Sequence, residues 1–162
     1  MLSLRDMPDA EFGRYIETAI ADYAIEGARA TGTPPDEAIE RAHAQVGQLL
    51  PEGCHTPGQH LRSLVTEAGD VIGSLWYADQ CEDEPPCVFL YDIRVAESRR
   101  GEGLGTAAMA RLEDEARRLG AARVSCTCFQ PQRGRDSPLR ADWVPVRPRG
   151  DGRDPHGKST LK

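Results

Sequence analysis

Residues Arg100-Gly101-Glu102-Gly103-Leu104-Gly105-Thr106 have the types and spacing to hold an anionic ligand without a lysine. Glycines at alternate positions let backbone N–H groups converge, because no Cβ obstructs the approach. A helix starting behind them adds its own unpaired N–H groups and the positive end of its dipole, a combination that binds pyrophosphate. The spacing Gly101-x-Gly103-x-Gly105 is not the G-x-G-x-x-G of dinucleotide folds. A second pattern, Gly152 to Ser159, satisfies G-x-x-x-x-G-K-[ST] but is expected to be inert. Only Thr160, Leu161 and Lys162 follow it, too few for the helix a P-loop needs.

The elements that must position this loop can be read from periodicity. Leu2, Leu4 and Met7 predict a short first strand. Asp9-Ala10-Glu11 opens a helix whose apolar face is Phe12, Tyr15, Ile16, Ile20, Tyr23 and Ala24. Thr31 to Pro35 breaks it. A second helix runs to about Leu50 on Ala38, Ile39, Ala42, Val46 and Leu49. Three strands are expected next, at His60 to Glu67, Val71 to Ala78 and Cys87 to Val95. In the last of these, alternation turns Asp92 and Tyr91 to opposite faces, with Tyr91 in the core. A helix from Gly103 to Leu119 buries Leu104, Ala107, Ala108, Leu112, Ala116 and Leu119; Gly120 ends it, and Ala121 to Val124 begins another strand.

Composition narrows the class. The chain has 162 residues, 39% of them hydrophobic and 28% charged, which suits one globular domain. No apolar run is long enough for a membrane span, and Met1 to Asp6 lacks the pattern of a secretory signal, so a cytoplasmic location is expected. In that setting Cys54, Cys81, Cys87, Cys126 and Cys128 are expected to be free thiols, and no metal site is expected. Residues 1–124 carry 12 Arg, no Lys and 22 acidic side chains, whereas 125–162 carry 8 basic and 4 acidic ones. The basic tail has no aromatic interleaving, so nucleic acid is not expected as a partner.

Val95, five further residues and Gly101-Glu102-Gly103-Leu104-Gly105 resemble the GNAT acetyltransferase signature R/Q-x-x-G-x-G/A, with Arg100, Gly103 and Gly105 in its fixed positions. The resemblance extends from the first strand to about residue 124. It implies an α/β (α+β) fold, a mixed and mainly antiparallel sheet flanked by helices, with acetyl-CoA as co-substrate. By that resemblance Ile93, Val95, Arg100, Gly101, Gly103, Gly105 and Thr106 line the cofactor site, and the strand Tyr91 to Val95 pairs with the pantetheine arm. The implied reaction is direct attack of an amine on the thioester, with a backbone N–H near Ile93 stabilising the oxyanion. Asp92, mid-strand near the expected thioester, is the candidate base or amine-orienting group. Glu82, Asp83 and Glu84 could attract a cationic amine. The acceptor is a small-molecule or protein amine, and a homodimer stays open.

The chain departs from the family after residue 124. The family continues with a helix carrying an Asn and a Tyr, the Tyr protonating the leaving thiolate, and two last strands. Here no Tyr follows Tyr91, and Phe129 to Pro138 is rich in Arg, Pro, Gly and Asp without periodicity. Codons for Pro131 through Pro145, read one base on, permit H-N-E-A-A-I-R-L-Y-E-R-T-G-F. His156 through Lys162 likewise permit M-E-K-A-L and a stop. The expectation is an incomplete acetyltransferase domain over 1–129 and a disordered, out-of-frame tail over 130–162, with activity impaired.

Overall fold

The structure is a computed structural model that describes residues 2–79, 86–127 and 141–145. Its elements follow in the order β1 (Ser3–Asp6), α1 (Asp9–Thr31), α2 (Pro35–Leu49), β2 (Gln59–Val65), β3 (Val71–Ala78), β4 (Cys87–Val95), α3 (Leu104–Arg118), β5 (Arg123–Thr127) and β6 (Ala141–Pro145). One sheet runs β1-β2-β3-β4-β5-β6, antiparallel throughout except for the parallel β4–β5 pair. The mixed, mainly antiparallel architecture expected from the sequence is the one found.

Local chemistry accounts for the helix ends. Asp9 and Glu11 sit in the first turn of α1, where the dipole favours them, and Gly32 ends the helix at φ 68° with its N–H on Ala28 O. Pro35 opens α2 at a position whose N–H would be unpaired anyway. Two apolar layers result, one on each face of the sheet. Beneath α3 lie Leu64, Leu75, Tyr77, Val88, Leu90, Leu112 and Val124. Beneath α1 and α2 lie Tyr15, Ala19, Ile20, Ala42, Val46, Leu61 and Trp76. A fully buried side chain such as Leu112 contributes about 1.5–3 kcal/mol relative to exposure. Tyr23, Ile39 and Leu119, assigned to apolar faces above, are exposed instead.

Three expectations need correction. Cys87 is disulfide-bonded, whereas Cys54 and Cys126 are thiols. The tail is not structureless throughout, because Ala141–Pro145 forms β6 and pairs from Arg123↔Pro145 to Thr127↔Ala141. An edge strand presents unpaired N–H and C=O groups, and Trp143 and Val144 are residue types that suit a strand paired against them. The third correction concerns Tyr91 and is described with the site. The acidic run Glu82 to Glu84, Cys81, Cys128, Phe129 to Pro138 and Gly152 to Ser159 lie outside the described residues.

Candidate active site

β4 changes character half-way along. Its parallel ladder with β5 runs from Cys87↔Arg123 to Leu90↔Cys126 and stops there. At the same point the ladder with β3 slips, because Tyr77 pairs with Leu90 while Trp76 pairs with Asp92. Tyr91 is the extra residue of a β-bulge. Bulges bend the strand and increase its twist, and here the bend coincides with the separation of β4 from β5. Among the described residues, Tyr91 to Val95 are paired to β3 only.

The bulge also reverses which residues face which layer. Before it, Val88 and Leu90 face α3; after it, Ile93 and Val95 do. Asp92 and Arg94 thereby turn away from the apolar core toward α1. Tyr91 lies on that same side, stacked on Trp76 with ring centroids 4.6 Å apart and packed against the α1/α2 layer. Strict alternation had put it on the opposite face from Asp92, and the inserted residue is why it is not there. Burial raises the Tyr91 phenol above its ordinary range.

β4 closes against β3 through Gly73, which pairs with Val95. A Cβ on Gly73 would overlap the Arg94 carbonyl oxygen and come within 3.0 Å of Leu64 Cδ1. A glycine inside a strand is a sign of such close approach.

Four side chains link β4 to α1. Tyr15 donates its hydroxyl to Asp92 Oδ2 at 3.0 Å, and Arg94 Nε donates to the same oxygen at 2.7 Å. Arg94 also donates to Asp22 Oδ2 at 2.6 Å. Burial first, and then the Asp92 charge, push the Tyr15 phenol far above its usual range, so it stays a protonated donor. Burial works against the Arg94 cation, but the hydrogen bonds and charges of Asp92 and Asp22 outweigh it and raise the guanidinium. Both donors converge on Oδ2, and Asp92 Oδ1 has no partner among the described residues. Nothing in the sequence singled out Tyr15, which reads as an ordinary member of an apolar helix face.

Between these elements lies a cleft of about 900 Å³. Its walls are Ala19, Asp22, Tyr23 and Glu26 of α1, Gln45, Val46 and Leu49 of α2, and Asp92 to Val95 of β4. Trp76, Phe89 and Tyr91 contribute aromatic surface, with Phe89 and Tyr91 edge to face at 4.8 Å. Ala96, Glu97 and Arg100 carry the cleft toward the glycine loop.

That loop leaves β4 through a 3₁₀ turn, Glu97–Arg99, in which Arg99 N–H bonds Ala96 O and Arg100 N–H bonds Glu97 O. Arg99 grips Glu102 with two hydrogen bonds, at 2.8 and 2.9 Å, which pins the turn. Gly101 and Gly103 then adopt φ of 85° and 74°, values that L side chains rarely take. The first bond of α3 is Ala107 N–H to Gly103 O, so the N–H groups of Leu104, Gly105 and Thr106 precede it without intrahelical partners. A Cβ at Gly101, Gly103 or Gly105 would meet nothing within 4 Å, leaving open space over the loop. The loop is exposed, Ile93 and Val95 are half-buried, and Arg100 points to solvent beside Glu97 at 3.2 Å. All seven residues expected at a cofactor site thus lie along one path, from the unpaired half of β4 into the first turn of α3.

Residues 18–135 match the profile of the Acetyltransferase (GNAT) family. The chain is 32% identical over 128 residues to the N-acetyltransferase YycN of Bacillus subtilis (strain 168), an alignment covering 79% of this chain and 82% of that protein. It is 27% identical over 128 residues to YdgE of the same organism, covering 78% and 81%. The chain belongs to the GNAT acetyltransferase family. The crystal structure of YycN superimposes with a TM-score of 0.74, at 32% identity, over 80% of this chain and 82% of that one. The signature residues Arg100 to Gly105 lie where β4 gives way to α3. Among the described residues no helix is long and apolar enough to cross a membrane.

Proposed function

We propose that this chain is an acetyl-CoA-dependent N-acetyltransferase that acts on an amine by direct attack. The observation that carries the reading is the separation of β4 from β5 at Leu90↔Cys126, directly beside the glycine loop. It leaves main-chain groups of Tyr91 to Val95 for the pantetheine amides, while the N–H groups of Gly103, Gly105 and Thr106 suit a pyrophosphate. Space over the three glycines fits that group, since a side chain on any of them would occupy it. Ile93 and Val95 flank the arm, Gly101 shapes the turn, and Arg100 supplies a cation at its rim. The bound co-substrate supplies an activated acetyl thioester.

The chain's own residues then have distinct tasks. A backbone N–H near Ile93 would stabilise charge on the thioester oxygen. Asp92 is the amine-orienting group rather than the base. Its Oδ2 is committed to Arg94 and Tyr15, which fixes the orientation of the carboxylate. Oδ1 is left to meet the incoming amine. The cleft wall carries Asp22, Glu26, Asp92 and Glu97 against Arg94 and Arg100, a net negative balance that suits an amine arriving as an ammonium ion.

The experiment is calorimetry with acetyl-CoA, followed by a thiol-release assay over a panel of amines. Saturable binding with amine-dependent thiol release is the expected outcome, and no heat of binding would sink the reading. A second reading, a non-catalytic acyl-CoA binder, is favoured by one fact. No Tyr follows Tyr91 to protonate the leaving thiolate. Binding without turnover in any amine selects it. We attribute that lack to a displaced reading frame after about residue 124. Sequencing the DNA across the codons for Val124 to Cys126 tests this, and codons that cannot spell the family segment end it.

A further inference from the structure

We infer that the start of α1 and the turn before β2 form a binding site for a thiophilic divalent cation, of which Zn²⁺ is the natural occupant, held by Asp9, Cys54 and His55. The three side chains converge on one point. Cys54 Sγ lies 3.0 Å and His55 Nε2 lies 2.9 Å from the same atom, Asp9 Oδ1. All three donor atoms lie within 4.8 Å of one another. A zinc ion with a sulfur at about 2.3 Å and nitrogen or oxygen at about 2.0–2.1 Å separates tetrahedral donors by roughly 3.3–3.6 Å. Opening the present contacts by about half an ångström, within rotamer freedom, therefore admits the ion.

The backbone that delivers these donors is braced rather than loose. Cys54 and His55 belong to a 3₁₀ turn, Gly53–His55, whose first residue has φ 60° and packs its Cα side on Phe12 of α1. Thr56, itself buried, accepts from Glu52 N–H and donates to Gly53 O, at 3.0 and 2.9 Å. The turn is thus fixed against the helix that carries Asp9. A mixed set of thiolate, imidazole and carboxylate selects zinc-like ions over magnesium or calcium, which prefer oxygen alone. The Asp9 and His55 side chains are 79% and 72% exposed, so water can complete the coordination shell. Asp9 opens α1, where the helix dipole opposes a cation, and two anionic ligands outweigh that partial charge.

The site is not part of the cleft. Asp9 is separated from Asp22 by 13 positions of one helix, about 20 Å along its axis. Its effect would be mechanical: an ion here clips the first turn of α1 to the segment after α2, closing a loop of 45 residues that includes both helices of the cleft wall.

The test is titration of the reduced, full-length chain with Co²⁺, followed by displacement with Zn²⁺. One equivalent of Co²⁺ should give a thiolate-to-metal charge-transfer band with tetrahedral visible bands, and Zn²⁺ should abolish both. Zn²⁺ should also raise the thermal midpoint of the wild type. Cys54→Ser should lose the charge-transfer band and the thermal shift, and His55→Ala and Asp9→Asn should weaken both. Asp9 and His55 are exposed and Cys54 is half-buried against the α1/α2 layer, so circular dichroism checks that each variant folds. A wild type with no band overturns the inference. So does a band that persists in Cys54→Ser, because the ion then sits on another cysteine. None of these readouts involves acetyl-CoA, so the result stands apart from the catalytic reading.

Discussion

The two halves of β4 are five residues or fewer each, and they obey different rules. Cys87 to Leu90 is paired to β5 throughout, with Phe89 and Leu90 paired to β3 as well, and is for the most part buried. Tyr91 to Val95 is paired on one edge, half-exposed, and carries the charged pair Asp92 and Arg94. One strand therefore belongs to the core at one end and lines the cleft at the other. The lesson is that, among the described residues, the cleft opens where the ladder with β5 ends rather than at a special residue. What keeps the open half in place is its single remaining neighbour, β3, together with the Tyr15–Asp92–Arg94–Asp22 link to α1.

If β3 alone holds the open half, crowding that contact should do the most damage. Gly73→Val is expected to destabilise the fold by about 3 kcal/mol or more, since overlap with the Arg94 carbonyl cannot be relieved by a rotamer change. Urea denaturation measures it, and near-wild-type stability would remove the argument. Leu90→Ala, in the doubly paired half, should cost about 2–4 kcal/mol while leaving acetyl-CoA affinity of the folded protein unchanged. A large loss of affinity there would erase the distinction between the halves. Asp92→Asn should do the reverse, lowering thiol release on the order of a hundredfold with a small stability change. Equal effects on turnover and stability would make Asp92 a purely structural group.

Gly105→Val sharpens the same contrast at the loop. The position has helical backbone and open space, so folding should survive, while acetyl-CoA affinity falls at least roughly tenfold. Unchanged affinity would place the pyrophosphate elsewhere. The smallest effect concerns the tie beneath the paired half, where Tyr77 donates to Glu115 at 3.2 Å. Burial works against the Glu115 anion, but Arg118 and Tyr77 outweigh it and hold the carboxyl below its ordinary value. A depressed folded-state pKa contributes stability above about 4.5 and loses it as pH falls through the folded value. Glu115→Gln should flatten the acid limb of a stability-versus-pH curve, and an unchanged limb would dismiss the tie.

Much of this was legible beforehand because it follows from period and punctuation. Val71 to Ala78 and Cys87 to Val95 were bounded correctly by turn residues, and the α1–α2 break by Thr31 to Pro35. The glycine loop was legible because Arg100, Gly103 and Gly105 stand in the fixed positions of the GNAT signature; three glycines alone would equally suit a tight turn. The Asp92 side of the site was not, for a physical reason. Alternation counts residues, and a bulge adds one without any change in composition, so Tyr91 was turned the wrong way. Tyr15 and Asp22 meet Asp92 and Arg94 across about 70 or more positions of chain, a juxtaposition that only tertiary packing creates. The Cys87 disulfide likewise depends on spatial proximity rather than spacing.

The bulge has one more implication, and it is a matter of parity. In the half of β4 before it the core-facing positions are even-numbered, Val88 and Leu90; after it they are odd-numbered, Ile93 and Val95. If the same residues alternated strictly, with Tyr91 kept in the ladder, Asp92 and Arg94 would be driven into the apolar layer under α3, where burying two charges is costly. The charges therefore enforce the bulge as much as the bulge presents the charges. Length at this point is under the same constraint as chemistry: Tyr91 is the residue whose removal would restore strict alternation and still leave Asp92 and Arg94 facing α1.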